Sequence, residues 1–232
     1  MLLGQAKMEI WKHPLFNEFS TELKNQLGDR IEKQTFQKGE ILFTQGSAVL
    51  GIFVHLSGLA KITQKDEFGK VAYSRLVLPG DTSGHRSLFI ECRYKGTAEV
   101  LSENLETVFI RLEDVTYLLS KSLHFTKNII IKISKELRRS EEEHVSKNRR
   151  SVRGRIANLI YELCENYSDI NSNKEYVIKA EISKREIAKV LLISNETVIR
   201  VMSEMKSEKI IDYQKKRLHV KQLKKLADYA KL

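Results

Sequence analysis

The sequence predicts an α+β protein in which an N-terminal antiparallel β-barrel or sandwich precedes a long helix and a C-terminal helical domain with a β-hairpin. Three observations support this prediction. Eight glycines punctuate short alternating segments from Gly39 to Gly96, and after them the sequence has only Gly154. No glycine or proline interrupts residues 118–145. Two capped amphipathic helices then follow each other near the C-terminal end.

Composition is that of a globular protein without a membrane segment. The chain has 232 residues, 41% of them hydrophobic, and no apolar stretch approaches the roughly 18 residues that a membrane helix needs. The stretch "MLLGQAKMEIWKHP" is too short and too polar for a signal peptide. We therefore expect a cytoplasmic protein with no membrane partner, in which Cys92 and Cys164 are reduced thiols rather than a disulfide.

The positive charge is concentrated in the C-terminal part of the chain. Residues 146–232 contain 20 Lys and Arg against 11 Asp and Glu, or +9, which leaves +1 of the total of +10 for residues 1–145. Such a surface favours nucleic acid first and an anionic membrane surface second. A solvated basic face without a partner is the third interpretation.

Residues 1–117 are predicted to form the β domain. A short helix around "STELKNQL", with Ser20 or Thr21 as N-cap, precedes alternating segments such as "IFVHLSG" and "LAKITQ". Turn signals every 7 to 12 residues are typical of a small antiparallel barrel, jelly roll or sandwich. The segment "VFIRL" is its expected last strand, with Val108, Ile110 and Leu112 on one face.

Residues 118–146 are predicted to form a dimerisation helix. Apolar residues fall at Leu123, Ile130, Ile133 and Leu137, in steps of seven, three and four, with polar Thr126 at one further position of the seam. This is the a/d pattern of a two-stranded coiled coil, and it predicts a homodimer. Continued, the seam reaches Ser140 and His144. The alternative is a single amphipathic helix packed on its own barrel.

Residues 147–232 are predicted to form a second domain. The basic stretch "KNRRSVRG" is expected to bend the chain, and a helix follows with Ile156, Leu159, Ile160 and Leu163 on one face. The stretch "NYSDINSNKE" is typical of a loop, and "YVIKAEIS" of a strand leading into a further helix.

Two short helices joined by a tight turn come next. Ser183 and Glu186 form a capping box, and Ser194, about eight residues after Glu186, offers a second N-cap. The outward face of the second helix would present these residues to base edges in a major groove: Asn195, Glu196, Ile199, Arg200 and Ser203.

The pairing of Glu196 with Arg200 has a chemical reason on such a face. A carboxylate among phosphates is costly unless it accepts a hydrogen bond from cytosine N4, while Arg200 can bind guanine O6 and N7 together. The alternative is a surface ion pair worth only about 0.2 to 0.5 kcal/mol. The following "KIIDYQKKRLHV" suits a β-hairpin wing whose Lys215, Lys216 and Arg217 reach phosphates, and part of "VKQLKKLADYAKL" suits a terminal helix.

These motifs resemble the Crp/Fnr family of bacterial transcription regulators along nearly the whole chain. The segments that resemble it are "ISKREIAKVLLISNETVIRVMSEMKSEKII", "GRIANLI", "LPGD" and "LFIECRYKGTAEVLSENLETVFI". The resemblance implies a cyclic-nucleotide-binding-like sensor, a winged helix-turn-helix, a dimer on palindromic double-stranded DNA, and RNA polymerase as a further partner. It implies that Glu196 and Arg200 read a C and a G, and that Ser194 and Thr197 hold phosphates. The DNA contacts expected are Ser183, Lys184, Ser194, Asn195, Glu196, Thr197, Ile199, Arg200 and Lys216.

The chain departs from the family pattern at two places. Leu192 stands where the turn usually has glycine, at a cost of roughly 1 kcal/mol if the turn is left-handed. In cyclic-AMP-binding members a glutamate binds the ribose, and an arginine and a serine bind the phosphate, whereas the aligned residues here are His85, Gly96 and Thr97. Without that arginine the usual cyclic AMP mode is not predicted. The effector remains unknown, and the candidate residues are Gly84, His85, Arg86, Ser87, Lys95, Thr97 and Ser140.

We predict no catalytic activity, metal or cofactor, because no catalytic motif or metal-ligand spacing occurs and haem ligation by a lone His85 or Cys92 lacks a paired motif. Two alternatives to an effector-controlled regulator stay open. In one, the basic domain contacts a protein or membrane and the barrel still senses. In the other, DNA binding needs no effector.

Overall fold

The computed structural model describes residues 10–28, 30–69, 71–90 and 93–231, with side chains except those of residues 72–74 and 143–149. Cys92 and the side chain of His144 lie outside these residues. The N-terminal domain begins with helix α1, Thr21–Gly28, where the Ser20 hydroxyl accepts a hydrogen bond from the Leu23 amide at 3.2 Å, as the capping signal predicts.

Two four-stranded antiparallel sheets form the β domain, with strand orders β1-β8-β3-β6 and β2-β7-β4-β5. The prediction of an antiparallel barrel or sandwich is therefore met by a jelly-roll-like pair of sheets. The strands are β1 Glu32–Gln37, β2 Ile41–Phe43, β3 Gly51–Ser57, β4 Ala60–Lys65, β5 Val71–Val77, β6 Thr82–Ser83, β7 Thr97–Val100 and β8 Asn104–Arg111.

Aromatic rings fill part of the space between the sheets. Phe43 stacks on Tyr94 with ring centroids 4.2 Å apart, and Phe53 contacts both Phe43 and Phe109. The Tyr94 hydroxyl donates to the Gly51 carbonyl at 2.9 Å, so its polar end is satisfied inside the core. These packed rings, together with the hydrogen bond to Gly51, hold Tyr94 and its loop against the sheets.

The end of the β domain differs in detail from the sequence prediction. Val108 and Ile110 are buried in β8, but Leu112 is the first residue of helix α2, Leu112–Lys121. The uninterrupted helix predicted from Leu118 is broken at Ser122, whose backbone is extended. The Ser122 hydroxyl accepts from the Phe125 amide at 3.2 Å and so caps a new helix, α3, Leu123–Arg149.

Helix α3 has two apolar faces with different surroundings. Phe125 and Ile129 are buried against the β domain. Leu123, Ile130 and Leu137, spaced by seven residues, are 84%, 59% and 60% exposed. The helix thus packs on its own β domain by one face, as the alternative interpretation expected, and still leaves most of the predicted seam uncovered. Ile133 packs partly against the β domain.

The chain bends at Arg150 and Ser151. The Ser151 hydroxyl accepts from the Gly154 amide at 3.0 Å and caps helix α4, Val152–Asn166, which buries the predicted face of Ile156, Leu159, Ile160 and Leu163. The predicted loop after it contains a short strand, β9 Ser168–Ile170, which pairs with β10 Tyr176–Ile178 through backbone hydrogen bonds that its polar sequence does not signal. Cys164 is buried, and burial raises the pKa of its thiol to about 12.

The C-terminal domain completes its sheet with strands β11 Ile211–Gln214 and β12 Arg217–Val220, in the order β11-β12-β10-β9. A terminal helix, α7 Leu223–Lys231, packs against α4. Leu59 and Leu101 of the β domain join the apolar core of this second domain. Within the described ranges, every helix is too short or too polar to cross a bilayer.

Candidate nucleic-acid interface

The predicted helix pair is present, as α5 Lys184–Leu191 and α6 Asn195–Ser207. Ser183 caps α5 in a reciprocal capping box: its hydroxyl accepts from the Glu186 amide at 3.2 Å, and the Glu186 carboxylate accepts from the Ser183 amide at 2.9 Å. This arrangement satisfies two backbone donors at once and fixes the start of the first helix. The Ser183 side chain is exposed.

The turn between the helices contains a strained leucine. Leu192 has φ 53° and ψ 48°, the left-handed conformation that glycine adopts at no steric cost, and 60% of its surface is exposed. Arg155 of α4 donates to the adjacent Leu191 carbonyl at the end of α5. The left-handed turn that the sequence comparison suggested is therefore present, with a side chain at the position where it is costly.

Ser194 caps α6 through its hydroxyl, which accepts from the Thr197 amide at 3.2 Å and lies 2.9 Å from the Thr197 hydroxyl. The cap satisfies one of the amides at the helix start that have no carbonyl partner within the helix. On the inner side Val198, Val201, Met202 and Met205 are buried. Because these four side chains lie on one face of the helix, the opposite face of α6 is the one exposed to solvent.

The outward face of α6 carries Glu196, Ile199, Arg200 and Ser203, all exposed, beside the half-buried Asn195. The Arg200 side chain is 66% exposed, and its guanidinium donates to the Glu204 carboxylate at 2.8 Å. The surface pair considered from the sequence was Glu196 with Arg200; the ion pair formed is with Glu204, one turn later. Glu196 is left facing outward with its carboxylate available.

Sequence reasoning missed the residues behind this arginine. Glu204 lies 3.8 Å from Arg153 of α4, which also pairs with Glu208. The hydrogen bonds from Arg153 and from the Tyr229 hydroxyl lower the pKa of Glu208. The pair of Arg200 with Glu204 could have been predicted from its i, i+4 spacing. No sequence pattern predicts the contact of Arg153 with both glutamates, which are about 50 residues away.

The wing is a tight hairpin of β11 and β12 with two lysines at its tip. Lys215 and Lys216 have φ 47° and 65°, as a two-residue primed turn requires. Both side chains and Arg217 are exposed. The Lys184 ammonium sits 5.7 Å from the Tyr213 ring centroid, which ties the start of α5 to the wing. Three cations thus project from one end of the hairpin.

The sensor side contains a second cluster, centred on a residue that the sequence did not single out. Glu136 of α3 accepts from Arg86 Nε at 2.6 Å and lies 3.1 Å from His85 Nε2, 3.4 Å from Arg75 and 3.5 Å from Lys132. Burial alone would raise the pKa of Glu136, but the hydrogen bond from His85 and the charge of Arg75 hold it well below its usual range. The Glu136 carboxylate is therefore held in its charged form, and it joins helix α3 to the β domain.

His85 is fully buried, and burial lowers its pKa despite the hydrogen bond to Glu136. Its Nε2 faces the Glu136 carboxylate, which can only accept a hydrogen bond, and its Nδ1 lies 3.1 Å from the Thr82 hydroxyl. The structure thus brings together His85 and Arg86, two residues that the sequence predicted for an effector site. Both side chains bind Glu136 of the same chain, however.

The remaining effector candidates are engaged in the loop itself. The Ser87 hydroxyl accepts from the Lys95 amide, and the Thr97 hydroxyl accepts from the Gln45 amide at 3.0 Å. A Cβ built on Gly96 would lie 2.8 Å from the Thr63 carbonyl oxygen, so the position cannot hold the family's arginine without moving backbone. The residues present do not fit a cyclic-nucleotide phosphate at this place. Gly84 caps the 3-10 helix His85–Phe89 in a left-handed conformation, and Ser140 lies on α3, one turn after Glu136.

Comparisons with known proteins agree with this architecture. The cyclic nucleotide-binding domain family matches residues 33–122, and the Crp-like helix-turn-helix domain family matches residues 154–229. The transcriptional activator protein anr of Pseudomonas aeruginosa is 24% identical over 196 residues, 83% of this chain and 78% of that protein.

Two solved structures share the fold. FixK2 from Bradyrhizobium japonicum superposes with a TM-score of 0.73 at 16% identity, covering 86% of this chain and 96% of that one. A transcriptional regulator of the CRP/FNR family from Thermus thermophilus has a TM-score of 0.67 at 22% identity, covering 87% and 99%.

The class that the fold and the exposed helix define is a DNA-binding transcription regulator with a cyclic-nucleotide-binding-like sensor, and not an enzyme. The chain belongs to the Crp/Fnr family of transcription regulators.

Proposed function

We propose that the protein acts as a homodimer on a palindromic DNA site, with Glu196 and Arg200 reading a C and a G in each half-site. The observation that supports this best is the position of both side chains on the exposed face of α6, opposite the buried stripe and one turn apart. The carboxylate accepts from cytosine N4, and the guanidinium, held by Glu204, binds guanine O6 and N7.

Phosphate contacts surround this pair. Ser183, Lys184, Ser194 and Thr197 lie at the two capped helix starts, where backbone amides and hydroxyls bind anions, and Asn195 beside them faces a base edge. Lys216 reaches the backbone from the wing, while Ile199 contacts a base or its methyl group. These contacts set the position on DNA, and Glu196 and Arg200 set its sequence preference.

The exposed seam of α3 supports the dimer. Leu123, Ile130 and Leu137 are apolar and open to solvent at seven-residue spacing, which a second copy of the helix would cover. A two-fold axis along this helix has to set the two copies of α6 about 34 Å apart, one turn of DNA, if both are to enter successive major grooves. A ligand of the sensor that favours this spacing would raise DNA affinity, and one that binds all geometries equally would not.

As a DNA-dependent regulator the protein works in the cytoplasm, with RNA polymerase as its downstream partner. The experiment that tests the DNA mode starts with selection of bound sequences from random DNA at fixed salt. Kd is then measured on the selected site and on random DNA. Arg200→Ala should cost roughly 1 to 3 kcal/mol on the selected site alone. Lys216→Ala should weaken both DNAs and reduce the salt slope by about one.

Lys224→Ala is the matched control, because it removes an exposed charge of the same domain on α7, away from the wing. It should leave the preference for the selected site intact. Equal losses on selected and random DNA for Arg200→Ala and Lys216→Ala would instead favour a basic domain that serves another partner.

A further inference from the structure

A cavity of about 610 Å³ lies between the two domains and the long helix. Its walls come from β5 with the turn after it, from α3 between Asn128 and Ser140, from α4, and from the end of α5. This volume is within the range of about 300 to 1,000 Å³ that small-molecule sites occupy. Of the effector candidates taken from the sequence, Arg86 and Ser140 line this cavity, whereas Gly84, His85, Ser87, Lys95 and Thr97 do not.

The sensor side of the cavity is cationic. Arg75 and Arg86 face it beside Lys132, and all three are bound to Glu136. Lys132 also lies 3.7 Å from Asp81. Glu136 and Asp81 together balance two of these three charges and leave one unbalanced, and Arg86 is half-exposed.

Further cations come from α3 and from the second domain. Arg139 pairs with Glu162, and Arg155 donates to the Leu191 carbonyl. Lys135 and Arg150 also line the cavity, and among the residues that the structure describes neither has a carboxylate partner. In total seven Lys and Arg side chains line the space against three carboxylates, an excess of four positive charges.

The rest of the wall is apolar. Leu76 and Leu78 of the sensor and Val190 of α5 face the same space, next to the strained Leu192. Binding sites for organic ligands combine such an apolar surface with a few charged groups that fix orientation. An inorganic ion would leave this surface unused.

We propose that this inter-domain cavity binds a small organic anion that carries at least two negative charges and an apolar or aromatic body. The anionic groups bind Lys135 and Arg150 and the exposed side of Arg86, and the body packs on Leu76 and Leu78. Phosphate and clustered carboxylates share the required chemistry. This site gives the effector control of the proposed function a place and a ligand class, and its regulatory consequence rests on that function.

Such a ligand would contact the sensor, α3 and the DNA-binding domain together. By neutralising cations on three elements it would favour the arrangement in which they enclose it. The ligand and DNA then change each other's affinity by the same factor, because coupling between two sites is reciprocal.

Isothermal titration of the full-length protein with AMP, ATP and benzene-1,3,5-tricarboxylate tests the site, with adenosine as a neutral probe. AMP or ATP binding identifies a phosphate ligand, and binding of the aromatic tricarboxylate identifies a polycarboxylate. We expect at least one of the three anions to bind with an affinity that falls with salt, and adenosine to bind at least tenfold more weakly. The double variant Lys135→Ala/Arg150→Ala should raise that Kd by at least about tenfold, the equivalent of 1.4 kcal/mol.

Lys121→Ala/Lys224→Ala is the control, since it removes the same net charge from exposed positions outside the cavity. Its Kd for the anion should stay within twofold of the wild-type value. Failure of all three anions to bind at millimolar concentration overturns the proposal, as does an equal loss in both double variants. DNA selection without any added anion separates these outcomes, because sequence-specific DNA binding that persists leaves the proposed function standing.

Discussion

Two glutamates of this chain occupy opposite electrostatic surroundings. Glu136 is 13% exposed and lies among Arg75, His85, Arg86 and Lys132, so its charge is used inside the protein. Glu196 is exposed on the outer face of α6 and remains available to a partner. A carboxylate that is enclosed and paired with cations has a structural role. An exposed carboxylate without such partners is free to bind another molecule.

The largest effect should come from removing the enclosed carboxylate. Glu136→Ala leaves three cations and a histidine without their shared anion, and it should lower the free energy of unfolding by about 3 kcal/mol. Urea unfolding followed through Trp11, the single tryptophan, reports on the sensor domain where Trp11 packs against Phe16 and Phe19.

Glu142→Gln on the same helix is the control. Glu142 pairs with Arg138 at 3.9 Å, and both side chains are exposed to solvent, so this ion pair contributes little. That variant should change stability by less than about 0.5 kcal/mol. If both variants unfold alike, the contrast between enclosed and exposed carboxylates does not hold for this protein.

The second effect concerns pH and another buried polar group of the sensor. His55 is fully buried with Nε2 2.8 Å from the Ser83 hydroxyl, and burial lowers its pKa to about 3. The unfolded chain, with an ordinary pKa near 6.5, therefore takes up a proton first as the pH falls. The contribution of His55 to the free energy of unfolding is therefore fully present above pH 6.5 and is lost as the pH falls from 6.5 to 3.

From pH 7 to pH 5 this histidine should cost about 2 kcal/mol of unfolding free energy. His55→Gln removes the titrating ring, so its unfolding free energy should depend on pH by that much less over the same interval. Equal pH dependence in wild type and variant, followed through Trp11, would show that His55 is not the titrating group.

The third effect sharpens the other side of the comparison. Glu196→Ala should leave the unfolding free energy within about 0.5 kcal/mol of the wild type, because the side chain is exposed. On DNA it should reduce discrimination at the cytosine of each half-site by roughly 1 to 3 kcal/mol. Kd values for sites with that base changed measure the loss, and an unchanged preference would remove Glu196 from base reading.

The smallest effect is expected at the turn between the two helices. Leu192→Gly relieves the left-handed strain at an exposed position and should raise stability by about 0.5 to 1 kcal/mol. Lys189→Gly, in the interior of α5, should instead lower stability by about 1 kcal/mol. Thermal unfolding of the two variants measures both changes, and a loss of stability in Leu192→Gly would show that the side chain contributes more than the strain costs.

The exposed face of α6 was predictable because its determinants are local. Ser183 with Glu186 and Ser194 with Thr197 are three residues apart, and the buried stripe of α6 follows helical periodicity, so caps and faces could be assigned from spacing. The break at Ser122 and strand β9 were not found from the sequence. In the first case no glycine or proline marks the break, and in the second a polar strand is set by its neighbour β10.

By itself the sequence determined the order of the domains, the capped helix pair, the exposed Glu196 and Arg200, and the location of the charge. These depend on contacts within a few residues, which periodicity and capping chemistry specify. Only the tertiary structure decided that Glu136 binds Arg75, His85 and Arg86, that Gly96 has no room for a side chain, and that a cationic cavity lies between the domains. Those features join residues from about 30 to more than 110 positions apart, and such contacts are set by how sheets and helices pack rather than by any local pattern.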